Sequence, residues 1–123
     1  MKLGIIGLGD VGKKHMKKIL MGEWKTMELV AIADLNAERQ QESLALLKEN
    51  VIGFTQGANL VRHSEIEGVL LALPPHALPA LATLAFANHK HVFLDSFSGL
   101  DEITLQHLKE KATKAKVQLC ECT

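Results

Sequence analysis

Gly7, Gly9 and Gly12 stand in the spacing G-x-G-x-x-G directly after a short apolar run, and Asp34 closes the next apolar run. Residues of these types in this order suit recognition of a pyrophosphate and a ribose. Gly7 permits a tight turn, Gly9 offers a backbone with no Cβ to obstruct a phosphate, and Gly12 lets the next helix lie close to the strand. The N–H groups freed along Gly7-Leu8-Gly9-Asp10-Val11-Gly12, at the positive end of the helix, would face the phosphates. An acidic residue about 20 residues past the glycines is placed to accept hydrogen bonds from a ribose 2′-OH. Asp34 meets that spacing, and its charge would repel a 2′-phosphate, so NAD is expected over NADP. Arg39, one helical turn on, could meet the adenine or tolerate a 2′-phosphate, which leaves NADP open.

The motif needs a strand before it and a helix after it, and the chain supplies both. A strand is predicted over Lys2–Gly7 and a helix over Asp10–Met21, with Val11, Met16, Ile19 and Leu20 on its apolar side. Lys13, Lys14, Lys17 and Lys18 form the opposite, solvated side. Strands then follow at Met27–Asp34, Val51–Phe54, Gly68–Leu73, His91–Asp95 and Val117–Cys122. Helices are predicted between them at Ala37–Glu49, Gly57–His63, Ala77–Asn88 and Glu102–Ala115, with Asp101 as a cap and a left-handed turn at Asn88-His89. Strands alternating with helices indicate an α/β fold with a parallel sheet. Six strands joined by right-handed crossovers fit a doubly wound sheet of order 3-2-1-4-5-6, the Rossmann arrangement.

Ligands of such a sheet sit beyond the carboxyl ends of the strands, where the strand order reverses. Besides the glycine turn and Asp34, that edge receives Phe54-Thr55, Leu73, Pro74, His76 and Asp95–Ser98. Leu73 and Pro74 would wall the nicotinamide half. His76 is a candidate base by its neutral-range titration, although without an evident carboxylate to orient it the simpler expectation is a loop histidine facing water. His15, His63, His89, His91 and His107 are scattered without ligand spacing, so no metal site is expected.

The chain has 123 residues, 47% hydrophobic and 23% charged, with 14 Lys+Arg against 14 Asp+Glu. That balance argues against a dedicated nucleic-acid binder, and no apolar run approaches the ~20 residues needed to span a bilayer. One dinucleotide-binding domain over residues 1–123 is expected. Met-Lys leads straight into the first strand without a signal-peptide pattern. Cys120 and Cys122 read as two reduced thiols of a cytoplasmic protein.

The segments GIIGLGDVGKKH, ELVAIADLNAER, EGVLLALPP and KHVFLDSF together resemble the glucose–fructose oxidoreductase / inositol dehydrogenase (Gfo/Idh/MocA) family. The resemblance covers essentially the whole chain and implies the family's N-terminal NAD(P)-binding domain. It implies hydride transfer between a nicotinamide and a sugar, polyol or related substrate in the intact family. The chain departs from the family pattern in places. The family's threonine position is Leu73, and the histidine that follows falls at Leu78 rather than His76. The family's Glu-Lys-Pro aligns with Asp95, Ser96 and Phe97, so the carboxylate stays and the proton-handling lysine becomes Ser96. A serine near its free pKa cannot replace an ammonium that polarises a hydroxyl or carbonyl. No catalytic residue is therefore expected in this chain. The family's substrate domain, with its small-molecule pocket, would begin where the chain stops. Two readings follow: the cofactor half of an oxidoreductase, or a non-catalytic nucleotide-binding, regulatory module. Apolar surface near the last strand would favour self-association into a homo-oligomer.

Overall fold

Alternating apolar runs become six parallel strands in the computed structural model, which describes residues 1–122. The strands are β1 Lys2–Ile6, β2 Glu28–Ala33, β3 Ile52–Phe54, β4 Gly68–Leu71, β5 His91–Leu94 and β6 Leu119–Glu121. They form one sheet of order β3-β2-β1-β4-β5-β6, every pair parallel. The helices are α1 Asp10–Leu20, α2 Ala37–Ala45, α3 Gly57–Val61, α4 Leu78–Ala87 and α5 Glu102–Ala115. The fold is the doubly wound α/β arrangement that the sequence predicts.

Side chains alternate across the pleat and fill two cores. Ile6, Ala33, Val69, Leu71, Val92 and Leu94 join buried residues of α3, α4 and α5 on one face. Leu3, Ile5, Ile32 and Leu70 meet Met16 of α1 on the other, with Leu44 and Leu47 packed alongside. Central strands covered on both faces account for the nearly unbroken apolar runs. At the carboxyl edge, the ladder continues one step past the strands: Gly7 N–H donates to the Ala33 carbonyl and Ala72 N–H to that of Ile6, both at 2.8 Å. Pro74 then ends it, since proline has no N–H to give.

Several boundaries differ from the sequence reading for local reasons. Helix α2 ends at Ala45 rather than Glu49, because its last turn tightens into i to i−3 bonds from Leu46 to Ser43 and Leu47 to Leu44. Leu44 and Leu47 thereby both reach the core while Leu46 is left exposed. Val11 and Leu20, expected on the apolar side of α1, are exposed; the buried side carries Gly12, His15 and Met16. Helix α4 begins at Leu78, after a 3-10 turn over Pro75–Ala77, which places Pro79 in its first turn. The predicted left-handed turn falls on His89 at φ 59°, and a second one, at Lys116, carries no sequence signal. Asp101 caps α5 through its carboxylate, which accepts from the Thr104 N–H at 2.7 Å.

Candidate functional site

The turn between β1 and α1 is built from backbone. Gly7 has φ +98°, and a Cβ there would lie 2.3 Å from the Ala72 carbonyl oxygen. A Cβ on Gly12 would lie 1.8 Å from the Gly7 carbonyl oxygen. The fold itself therefore requires both glycines. Gly9 is different: its φ is −74°, which any residue adopts, and nothing lies within 4 Å of where its Cβ would be. No side chain caps α1, and among the described residues the N–H groups of Gly9, Asp10, Val11 and Gly12 have no acceptor. Free donors beside an empty Cβ position, at the positive end of an eleven-residue helix, suit an anionic phosphate. These residues fit the group that the motif implies.

Asp34 follows β2 and secures the turn from the side. One carboxylate oxygen accepts the Leu8 N–H at 2.7 Å and the other accepts the Asn36 N–H at 2.7 Å. Asn36, not Asp34, is the cap of α2, accepting from the Glu38 and Arg39 N–H groups. Each carboxylate oxygen retains a lone pair for a further donor. Gly7, Gly9, Asp34, Arg39, Leu73 and Pro74 line one cleft of about 420 Å³. The side chain of Leu8 is buried in the core instead, and Asp10 is exposed at the first position of α1.

Past Leu73 a second hollow, of about 220 Å³, is bounded by Val11, Leu73, Pro75, Leu78, Asp95 and Ser96. The two clefts share Ala72 and Leu73, so they run as neighbours along the carboxyl edge of β1 and β4. His76 is exposed on the 3-10 turn and lines neither cleft. Among the described residues, no three His, Cys, Asp or Glu side chains cluster as metal ligands would.

Asp95 carries more structure than the sequence suggests. Its Oδ1 accepts from His15 Nε2 at 2.6 Å and from Lys14 Nζ at 3.1 Å. The His15 hydrogen bond is the main cause holding the Asp95 carboxyl below the usual aspartate range, with Lys14 adding to it. His15 is fully buried and its ring lies 5.2 Å from that of Trp24. Reading the sequence misses His15 and Lys14 as site-supporting residues. The available signal is helical spacing, since Gly12, His15, Met16 and Ile19 share one face of α1. The loop after Asp95 is tied down by Glu121, whose carboxylate accepts the Phe97 N–H at 2.7 Å, and by a 2.8 Å contact between the Ser96 and Ser98 hydroxyls.

Residues 1–121 match the profile of GFO_IDH_MocA, described as an oxidoreductase family with an NAD-binding Rossmann fold. The chain belongs to this family. It is an NAD-binding Rossmann domain of the Gfo/Idh/MocA oxidoreductases. Its similarity to inositol 2-dehydrogenase of Klebsiella pneumoniae subsp. pneumoniae is 29% identity over 90 residues, 69% of this chain and 26% of that enzyme. The fold matches scyllo-inositol dehydrogenase from Lactobacillus casei, solved with NAD(H) and scyllo-inositol, at a TM-score of 0.83 and 22% identity. That match covers 97% of this chain and 35% of the other. Biliverdin reductase from Synechocystis, solved with biliverdin and NADP+, gives a TM-score of 0.84 at 21% identity, over 98% of this chain and 37% of the other. The chain thus spans 26% of the length of that inositol 2-dehydrogenase and 35% and 37% of the two structural neighbours. Among the described residues, no helix is long and apolar enough to cross a membrane.

Proposed function

We propose that this domain holds NAD across the two clefts, adenosine in the larger and nicotinamide in the smaller, and takes NAD in preference to NADP. The observation that carries the reading is Gly9, the glycine of the motif that the fold does not require. Its missing Cβ makes sense once a phosphate occupies the space. In this reading the N–H groups of Gly9, Asp10, Val11 and Gly12 bind the pyrophosphate. Asp34 accepts the adenosine ribose hydroxyls while holding the Leu8 N–H, and Arg39 lies along the adenine side. Leu73, shared by both clefts, walls the nicotinamide, with Asp95 at its far end, while Pro74 lines the larger cleft. His76, exposed and outside both clefts, would meet cofactor only at the rim. The nicotinamide supplies the hydride chemistry; the protein's share is position and electrostatics.

The same geometry favours a domain that binds without turning over substrate by itself. Ser96, at the position of the family's lysine, offers a hydroxyl already engaged with Ser98. Among the described residues its hydroxyl has no hydrogen bond to a base that would make it a nucleophile or proton carrier. Transfer of hydride to a sugar, polyol or related substrate would draw on residues outside the chain, in keeping with its coverage of 26% of the inositol 2-dehydrogenase it resembles. Cys120 and Cys122 are both free thiols, which supports a reducing, cytoplasmic setting. Calorimetric titration with NAD and NADP tests the reading. Tighter binding of NAD is expected; equal or inverted affinities would remove Asp34 from the ribose role, and no binding of either would end the proposal.

A further inference from the structure

Four polar or charged side chains are buried among the described residues: His15, Gln40, Ser43 and Lys90. Lys90 is satisfied, its ammonium donating to the carbonyls of His63 and Ile66. His15 is only half satisfied. Its Nε2–H donates to Asp95, an anionic carboxylate with no proton to give, while its buried Nδ1 has no partner among the described residues. A buried polar atom left unpaired is destabilising. A phenyl ring could pack in the same helix position, against Trp24 and the core, without that penalty. What a phenyl ring could not do is hold Asp95.

Asp95 lies one residue past β5 and bounds the smaller cleft. Both of its contacts, His15 and Lys14, come from α1 and converge on Oδ1, and Oδ2 has no partner among the described residues. Helix α1 carries the glycine turn at its N-terminus, about one turn before Lys14 and His15. One helix therefore presents the phosphate-binding N–H groups and also fixes the carboxylate that borders the nicotinamide side. We propose that His15 is a positioning residue: from the buried face of α1 it clamps Asp95 and so sets the Asp95–Gly99 loop against the smaller cleft. The proposal rests on the cofactor reading above for its effect on binding, and on the His15–Asp95 contact alone for its effect on the loop. Lys14, half-exposed, shares the same oxygen and cannot replace a buried donor in fixing its direction.

The test uses the full chain, wild type and His15→Phe, titrated with nicotinamide mononucleotide and separately with AMP while amide resonances are followed. His15→Phe is expected to lower affinity for nicotinamide mononucleotide about ten-fold, in line with loss of a charge-assisted hydrogen bond. AMP affinity should hold within about two-fold, as a local effect on the far cleft requires, and the Ser96–Gly99 amides should shift. His15→Gln, which offers an N–H at similar reach, should restore the mononucleotide affinity. Unchanged mononucleotide affinity in His15→Phe, an equal loss of AMP affinity, or failure of His15→Gln to rescue would each overturn the proposal. If His15→Phe does not fold, Asp95→Asn serves instead. It must displace the His15 Nε2–H resonance and weaken the mononucleotide while AMP holds, and wild-type behaviour on either count overturns the clamp. If the wild type binds neither probe, the cofactor reading fails, and the loop resonances alone decide the clamp: Ser96–Gly99 amides that His15→Phe leaves in place refute it.

Discussion

The two ends of the site are made of different materials. The glycine turn is backbone: its geometry comes from Gly7 at φ +98°, from the close approach of Gly12 to the Gly7 carbonyl, and from N–H groups left free at the start of α1. The β5 end is side chain: Asp95 is held by a buried histidine and a lysine from a helix some 80 residues earlier in sequence, and its loop is held by Glu121 from β6. A backbone site depends on which residues lack a Cβ, so it tolerates little change and leaves a mark in local spacing. A side-chain site depends on tertiary contacts among distant residues, so it can lose a member while the fold persists.

Substitutions can break that contrast. The largest effect is expected from Gly12→Ala or Gly7→Ala, where a methyl group would meet backbone oxygen at 1.8 or 2.3 Å. Each should cost on the order of 3 kcal/mol or more in urea unfolding, as strained backbone and overpacking do. Gly9→Ala should do the reverse. Its conformation is allowed and its surroundings are open, so stability should hold or rise by about 0.5 kcal/mol. NAD affinity should nevertheless fall on the order of 100-fold, the equivalent of two charge-assisted hydrogen bonds of about 1.5 kcal/mol each. If Gly9→Ala destabilised the chain as much as Gly12→Ala, the separation between fold glycines and ligand glycine would collapse.

Asp34→Ala is intermediate, since it joins the two kinds of construction. It strips acceptors from the Leu8 and Asn36 N–H groups, and a loss of about 1–3 kcal/mol is expected in the same unfolding assay. Discrimination between NAD and NADP should also relax, about ten-fold by titration. Asp95 should show as a modest pH effect. Its folded-state pKa is depressed by His15 and then Lys14. It therefore contributes stability at pH above the ordinary aspartate value near 4, and that contribution is lost as pH falls through the lower folded value. Melting curves between pH 6 and pH 2 (bounds of about 6 and 2 span that window) should fall less steeply for Asp95→Asn; matching slopes would show that the His15 contact contributes nothing. The smallest effect concerns Cys122, whose thiol burial pushes up to about 11. Near neutral pH it should carry on the order of 100-fold less thiolate than a free cysteine and alkylate correspondingly slowly.

The same contrast explains what was legible in the sequence. Strand order, helix positions, the glycine turn and Asp34 follow from periodicity and spacing because each is a local pattern that the covered parallel sheet enforces. The ends of α2 and β4 follow less well, because Leu46 and Leu73 are apolar in sequence yet one is exposed and the other lies beyond the strand. His15 was one scattered histidine among six, and its role rests on a partner about 80 positions away. His76 is a candidate by residue type and by following the fourth strand, but the 3-10 turn of Pro75–Ala77 leaves it exposed outside both clefts.

Titration of NAD into wild type and Gly9→Ala, with the melting temperature of each recorded alongside, tests the central claim most directly. The account predicts saturable binding to the wild type, a loss on the order of 100-fold in Gly9→Ala, and a melting temperature that does not fall. Equal NAD affinities in the two chains would contradict it.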